Sequence, residues 1–180
     1  MKNLTKLSFI CLTVASTGLI PLTSYAAPND ITFMGEVNAN TCAVDINGDA
    51  ASPVVLMPTV STADLAGFGS EAGVTEFTVN INGCDGSVDF TAGMEFTGMD
   101  NGVGNLLNTG TAGNVAVALT KDGGSNFDFS SGSYTDGSAF MITAPATSGS
   151  EVYQAKYRSD LGGATAGTVI ATVNYAITYY

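Results

Sequence analysis

Apolar side chains recur at every second position along most of this chain, and at helical spacing almost nowhere. The last segment shows it best. Val169, Ala171, Val173, Tyr175, Ile177 and Tyr179 alternate with Ile170, Thr172, Asn174, Ala176 and Thr178. Period-2 alternation with β-branched and aromatic residues predicts a strand with one buried face. Eleven residues, Val169 to Tyr179, would span roughly 36 Å, long for a globular domain. Similar alternation appears in "ITFMGEV" (31–37), "TEFTVNINGC" (75–84) and "SVDFTAGMEFTGM" (87–99). It recurs in "NVAVALTKDGGSNFDF" (114–129) and "EVYQAKYRS" (151–159), and a short apolar run ends at Pro58. Gly83 is expected to form a bulge, and Asp122-Gly123-Gly124 a hairpin-type turn.

One stretch, "VSTADLAGFG" (60–69), has helical character. Ser61 or Thr62 would cap a single turn that Gly67 ends. Otherwise, short strands with turn signals every eight to fifteen residues or so predict an all-β sandwich. The glycines follow no fixed period and no linker interrupts the pattern, so one domain is expected.

The first 26 residues stand apart. Lys2 and Lys6 precede a mostly apolar stretch from Leu7 to Leu22, and Ser24-Tyr25-Ala26 offers small residues at the cleavage positions. This is the pattern of a secretory signal peptide cut between Ala26 and Ala27. The exported product would then start at Ala27. It holds all sixteen acidic residues but only Lys121, Lys156 and Arg158 as bases. Such an acidic chain is unsuited to nucleic acid or anionic membranes, which require cations to neutralise phosphate. Its copies also repel one another, so self-association needs a strong contact that is not electrostatic. Export leaves two cysteines, Cys42 and Cys84, which read as one disulfide in an oxidising compartment. Closing a loop of about forty residues is worth about 4 kcal/mol in the chain-entropy model.

The catalytic inventory is thin. The chain has no histidine, so Ser-His-Asp and Cys-His arrangements and histidine-bound metals are out of reach. "DINGD" (45–49) resembles part of a calcium loop but lacks the downstream Glu, and reads as an acidic turn. "GVGNLLNTG" (102–110) has neither the helix nor the lysine of a phosphate cradle. No cofactor, metal site or enzymatic activity is expected. The two terminal strands carry more information. They are either the first and last strands of a closed sandwich, or edges that recruit another chain.

The sequence resembles the major subunits of chaperone–usher pili, the type 1-like fimbrial proteins. The resemblance rests on the order of its pieces: a signal peptide, "ITFMGEVNANTCAV", "VLMPTVS", "FTVNINGC" with the second cysteine, and "GTVIATVNYAITYY" with a tyrosine next to last. It implies an incomplete immunoglobulin-like sandwich, residues 39–180, preceded by a donor-strand extension, residues 27–38. The missing strand is lent first by a periplasmic chaperone and then by the extension of the next copy, a form of β-augmentation. Ile31, Phe33, Gly35 and Val37 would be the donor side chains. Val173, Tyr175, Ile177 and Tyr179 would form the acceptor edge, and the chaperone would hold the carboxylate of Tyr180. Cys42–Cys84 would tie the first core strand to its neighbour. Only Ala27 to Asp30 precede the donor strand.

Implied partners are other copies of the chain, the chaperone, an outer-membrane usher and a tip adhesin, on a route through the periplasm to the cell surface. The function implied is that of a shaft subunit supporting adhesion. A minor adaptor subunit or an adhesive glycan-binding subunit is the alternative. An exported hydrolase would instead need two carboxylates in one cleft.

Overall fold

The computed structural model describes residues 41–180. The expected leader, the extension over 27–38 and the donor side chains Ile31, Phe33, Gly35 and Val37 lie outside the described residues. Seven strands follow: β1 (Ala43–Ile46), β2 (Ser70–Asn82), β3 (Phe90–Gly98), β4 (Ala116–Lys121), β5 (Ser133–Ile142), β6 (Ser148–Ser159) and β7 (Val173–Tyr179). They form two antiparallel sheets, β1-β2-β6-β4 and β5-β3-β7. The described residues contain no helix.

Alternation explains which faces meet. Phe77, Val79 and Ile81 of β2 and Tyr153 of β6 point inward from the first sheet. Ala92, Met94 and Phe96 of β3, with Phe140 and Ile142 of β5, point inward from the second. Tyr153 sits at the centre, fully buried, stacked 5.8 Å from Phe77 and edge-on at 5.2 Å to Phe96. Its hydroxyl donates to Asp136 Oδ2 at 2.9 Å, and Lys121 Nζ donates to the same oxygen at 2.9 Å. Burial, and then the adjacent Asp136 charge, raise the phenol's pKa, so it stays a neutral donor.

Several local expectations need correction. The bulge is not at Gly83, which follows the end of β2 as a turn with φ +68°. It lies earlier in β2, where the register with β6 shifts between Ala72 and Thr75. Gly73 has φ +68° there, and a Cβ would stand 2.9 Å from both Tyr157 and Val60, so only glycine fits. The stretch 60–69 forms no helix. Three successive short-range bonds, Asp64 N to Ser61 O, Leu65 N to Thr62 O and Ala66 N to Ala63 O, make consecutive turns. Strand β5 was not signalled by alternation. Opposite β3, Ala92 pairs with Phe140 but Met94 with Asp136, so three residues of β5 stand against Gly93 alone and interrupt the period.

Other turns match their sequences. Asp122 (φ +43°) and Gly123 (φ +68°) make a tight hairpin turn closed by Gly124 N to Lys121 O at 2.8 Å. "DINGD" is an acidic turn. Asp45 accepts from Gly48 N at 2.8 Å and from the Asn80 amide at 2.7 Å.

Candidate functional site

Each sheet has outer strands whose backbone needs partners. Strand β4 finds them within the chain. Leu106 N donates to Val117 O at 2.9 Å, Val117 N returns a bond to Leu106 O at 3.1 Å, and Phe127 N donates to Leu119 O at 2.8 Å. Strand β7 differs. Among the described residues it pairs with β3 alone, setting Val173 opposite Gly98, Tyr175 opposite Phe96, Ile177 opposite Met94 and Tyr179 opposite Ala92. Its outer backbone edge has no strand beside it in that set.

The strand is also shorter than its alternation predicts, seven residues rather than eleven. Upstream the chain keeps its alternating burial but changes partner. Val169 and Ala171 are half-buried, whereas Ile170 and Thr172 are exposed. Ile170 O accepts from Thr109 N at 2.8 Å, Ile170 N donates to Asn108 Oδ1 at 2.9 Å, and Thr168 O accepts from Ala112 N at 3.0 Å. The C-terminal segment thus leaves the loop before β4 and crosses to β3. At this crossing Gly167 lies so close to Thr111 and Ala112 that a Cβ would run into their backbone.

Facing Val169–Tyr175 is the apolar run Pro53–Met57. No ladder bond of a regular strand holds it, yet its burial alternates. Pro53, Val55 and Met57 are half-buried, while Val54 and Leu56 point outward. Between the two lips opens a cleft of about 540 Å³. Val55 and Met57 line it on one side, and Val169, Ala171, Val173 and Tyr175 on the other. Its floor is the core itself, through Phe77, Phe96, Leu106, Val117 and Leu119. None of the described residues lining it carries a charge. Its hydroxyls, on Tyr157, Thr172 and Tyr175, have no carboxylate or amine beside them among the described lining residues. Among the described residues the site sets the unpaired outer edge of β7 beside a continuous apolar cleft, which suits an extended apolar segment.

The anticipated site residues among those described fall into four groups. Val173 and Tyr175 line the cleft. Ile177 and Tyr179 continue the same half-buried face beyond it and pack on the core. Tyr180 is mostly exposed, its amide donating to Thr91 O at 2.9 Å. Cys42 and Cys84 form a disulfide, with Cα atoms 4.4 Å apart. Beside it, Cys42 N donates to Tyr179 Oη at 2.8 Å, tying the C-terminal strand to the start of the sandwich. Sequence reasoning noticed the 53–57 run as apolar without assigning it as the second lip. Its signal was a continuous apolar run between Pro53 and Pro58, too short to show an alternation of its own.

Charges lie away from the cleft. Lys121 pairs with Asp136 and Glu151, Lys156 with Glu71, and Arg158 with Glu71 and Asp160. Burial would raise the Glu71 pKa. Hydrogen bonds from Lys156, Asn126 and Arg158 outweigh it and hold the carboxyl at about 2.

Two antiparallel sheets with one outer strand left beside an apolar cleft define an immunoglobulin-like sandwich of the pilin class. Solved structures share that fold. A chain of a chaperone–usher pilus superposes with a TM-score of 0.57 at 20% identity, covering 87% of this chain and 100% of that one. The P pilus rod subunit PapA gives 0.55 at 20% identity, covering 77% and 99%. The family model described as Fimbrial protein matches residues 31–180, and the chain belongs to that family. The F17 fimbrial protein of Escherichia coli is 34% identical, with 83% of this chain and 86% of that protein covered. The major fimbrial subunit SMF-1 of Stenotrophomonas maltophilia is 32% identical, with 88% and 96% covered. The protein is accordingly a structural subunit of an extracellular pilus that polymerises with other subunits, and not an enzyme.

Proposed function

We propose that the cleft is an acceptor groove, and that the subunit polymerises into the pilus shaft by donor-strand exchange. The observation that carries this is β7, a half-buried apolar strand paired on one side only among the described residues, above an uncharged cleft of about 540 Å³. The donor is the 27–38 extension of the next copy. Its Ile31, Phe33 and Val37 would face the cleft between the lips, with Gly35 on the same alternating face. At roughly 1.5–3 kcal/mol for each large side chain, one junction gains about 5–9 kcal/mol beyond its backbone bonds. That exceeds the screened repulsion between acidic subunits in salt.

Before assembly the same edge is lent to a periplasmic chaperone, which pairs with β7 and holds the Tyr180 carboxylate. An outer-membrane usher then passes the subunit to a growing filament headed by a tip adhesin, and the shaft supports adhesion. The leader over residues 1–26 routes the chain to the periplasm. Deleting residues 27–38 tests the assignment. The truncated subunit should be recovered with its chaperone and accept a donor, yet end every chain it joins. Wild-type surface fractions should show a ladder of detergent-resistant oligomers that collapses on heating. Filaments of ordinary length from the truncated subunit alone would remove the donor assignment.

A further inference from the structure

Gly93 breaks the rule that sorts β3 into two faces. Ala92, Met94 and Phe96 face the core, so Gly93 should face solvent, yet it is buried. What covers it is the ring of Tyr180. A Cβ on Gly93 would stand 3.0 Å from Tyr180 Cε2, besides 2.7 Å from Thr178 Oγ1 and 2.8 Å from Asp136 O. A Cβ on Gly137 of β5 would stand 3.6 Å from Tyr180 Oη and 3.9 Å from its Cζ. Beyond the chain neighbours no other described atom would lie within 4 Å of it. Thr178, two residues earlier on the same face, donates through its hydroxyl to Tyr180 Oη at 3.4 Å. The ring therefore starts beside β7, crosses β3 at Gly93 and reaches β5 at Gly137. It spans all three strands of the smaller sheet from outside, although the residue as a whole is 67% exposed.

Backbone conformation does not call for glycine at either place. Neither Gly93 nor Gly137 has a φ in the left-handed region, and glycine inside a strand weakens it. What the two share is room. The notch opens where β5 sets Gly137, Ser138 and Ala139 against Gly93. An aromatic ring laid over a strand glycine restores the contact that the missing side chain gives up.

We propose that Tyr180 is a positioning residue for strand addition. Its ring clasps the end of β7 to β3 and β5, so that the outer edge is ordered throughout before a strand arrives. The inference rests on the β7 edge being the acceptor edge. Among the described residues β7 has a ladder on one side only, closed by Tyr180 N to Thr91 O at 2.9 Å. A strand end held in that way opens at little cost in free energy. An edge that opens captures a donor only during the fraction of time it is formed, and the ring raises that fraction. Tyr180 is absent from the lining of the cleft, so the clasp leaves the cleft itself untouched.

The test follows capture of a labelled peptide of residues 27–38 by the monomeric exported chain, whose own extension competes equally in every variant. In Tyr180→Ala the association rate should fall about tenfold with dissociation unchanged, because a seated donor orders β7 itself. The Tyr180→Phe variant keeps the ring and should associate as fast as wild type. Gly137→Val fills the notch and displaces the ring with Tyr180 intact. It should reproduce the slow association while urea unfolding keeps the wild-type midpoint. Wild-type association in Tyr180→Ala overturns the proposal. So does faster dissociation at an unchanged association rate, which would make the ring a contact of the donor. Slow association matched by a lowered urea midpoint in Tyr180→Ala and Gly137→Val alike would reduce the ring to a contact of the fold, and equally overturn it. A folded wild-type chain that captures no peptide would instead remove the acceptor groove, and this role with it.

Discussion

Strands β4 and β7 are both outer strands, and the chain treats them in opposite ways. Strand β4 is buried on both faces, and its backbone is met by Leu106 and Phe127 from the chain's own loops. Strand β7 alternates half-buried and exposed residues from Val173 to Ile177, and among the described residues nothing runs beside its outer edge. An exposed strand edge is an aggregation hazard unless something covers it. Among the described residues the hazard is removed at the β4 edge and kept at the β7 edge. The retained one lies over an uncharged apolar cleft, which the proposed assembly uses as its adhesive surface.

The contrast can be broken from the covered side first. Leu106 is 2% exposed and completes both the β4 edge and the core. Leu106→Ala should cost about 3 kcal/mol in urea unfolding of the monomeric chain. A loss below about 1 kcal/mol would mean the loop is not what closes that edge.

Val173→Thr probes the open side with almost no change in shape. In the monomer the position is half-buried, so unfolding should shift by less than about 1 kcal/mol. Once a donor fills the groove the added hydroxyl is trapped without a partner, at a cost of about 1–3 kcal/mol per junction. The ladder should therefore melt at lower temperature than wild type. Equal melting of the two ladders would show that Val173 does not face the donor.

The smallest effect is expected where neither edge is involved. Glu71 is held at about 2, below its ordinary 4.5, by Lys156, Asn126 and Arg158. A depressed folded-state value means its stabilisation is complete above pH 4.5 and fades as pH falls toward 2. Glu71→Gln should lower stability by less than about 1 kcal/mol at pH 7. The gap in Tm between the two chains should close between pH 4.5 and 2, with the ladder at pH 7 unaltered. A gap that persists unchanged to pH 2 would exclude the ion cluster as its source.

Much of this fold was legible because alternation survives wherever a strand has one core face. Phe77, Val79 and Ile81 are buried as their spacing predicts, and Tyr153 and Ala155 follow suit on β6. Legibility failed where backbone irregularity breaks the count of two. Strand β5 sets Gly137, Ser138 and Ala139 against one residue of β3, so its apolar positions never settle into alternation. The bulge at Gly73 hid the first part of β2 in the same way. The last strand was read too long because alternating burial persists through Val169 and Ala171 after the sheet partner has changed. Burial pattern reports which side faces the core, and is silent on which strand supplies the hydrogen bonds. Of the candidate site, the β7 lip was visible in sequence. The Pro53–Met57 lip was not, because its role depends on lying across from β7.

The hydrogen bond from Cys42 N to Tyr179 Oη spans 137 positions of sequence. Under the proposed assembly, tension on a filament enters each subunit through the donor held along β7 and leaves through the segment just before Cys42. That bond and the Cys42–Cys84 link form a mechanical shunt between the two points. The pull crosses one corner of the sandwich and bypasses the core, so a stretched shaft can yield between subunits before any subunit unravels.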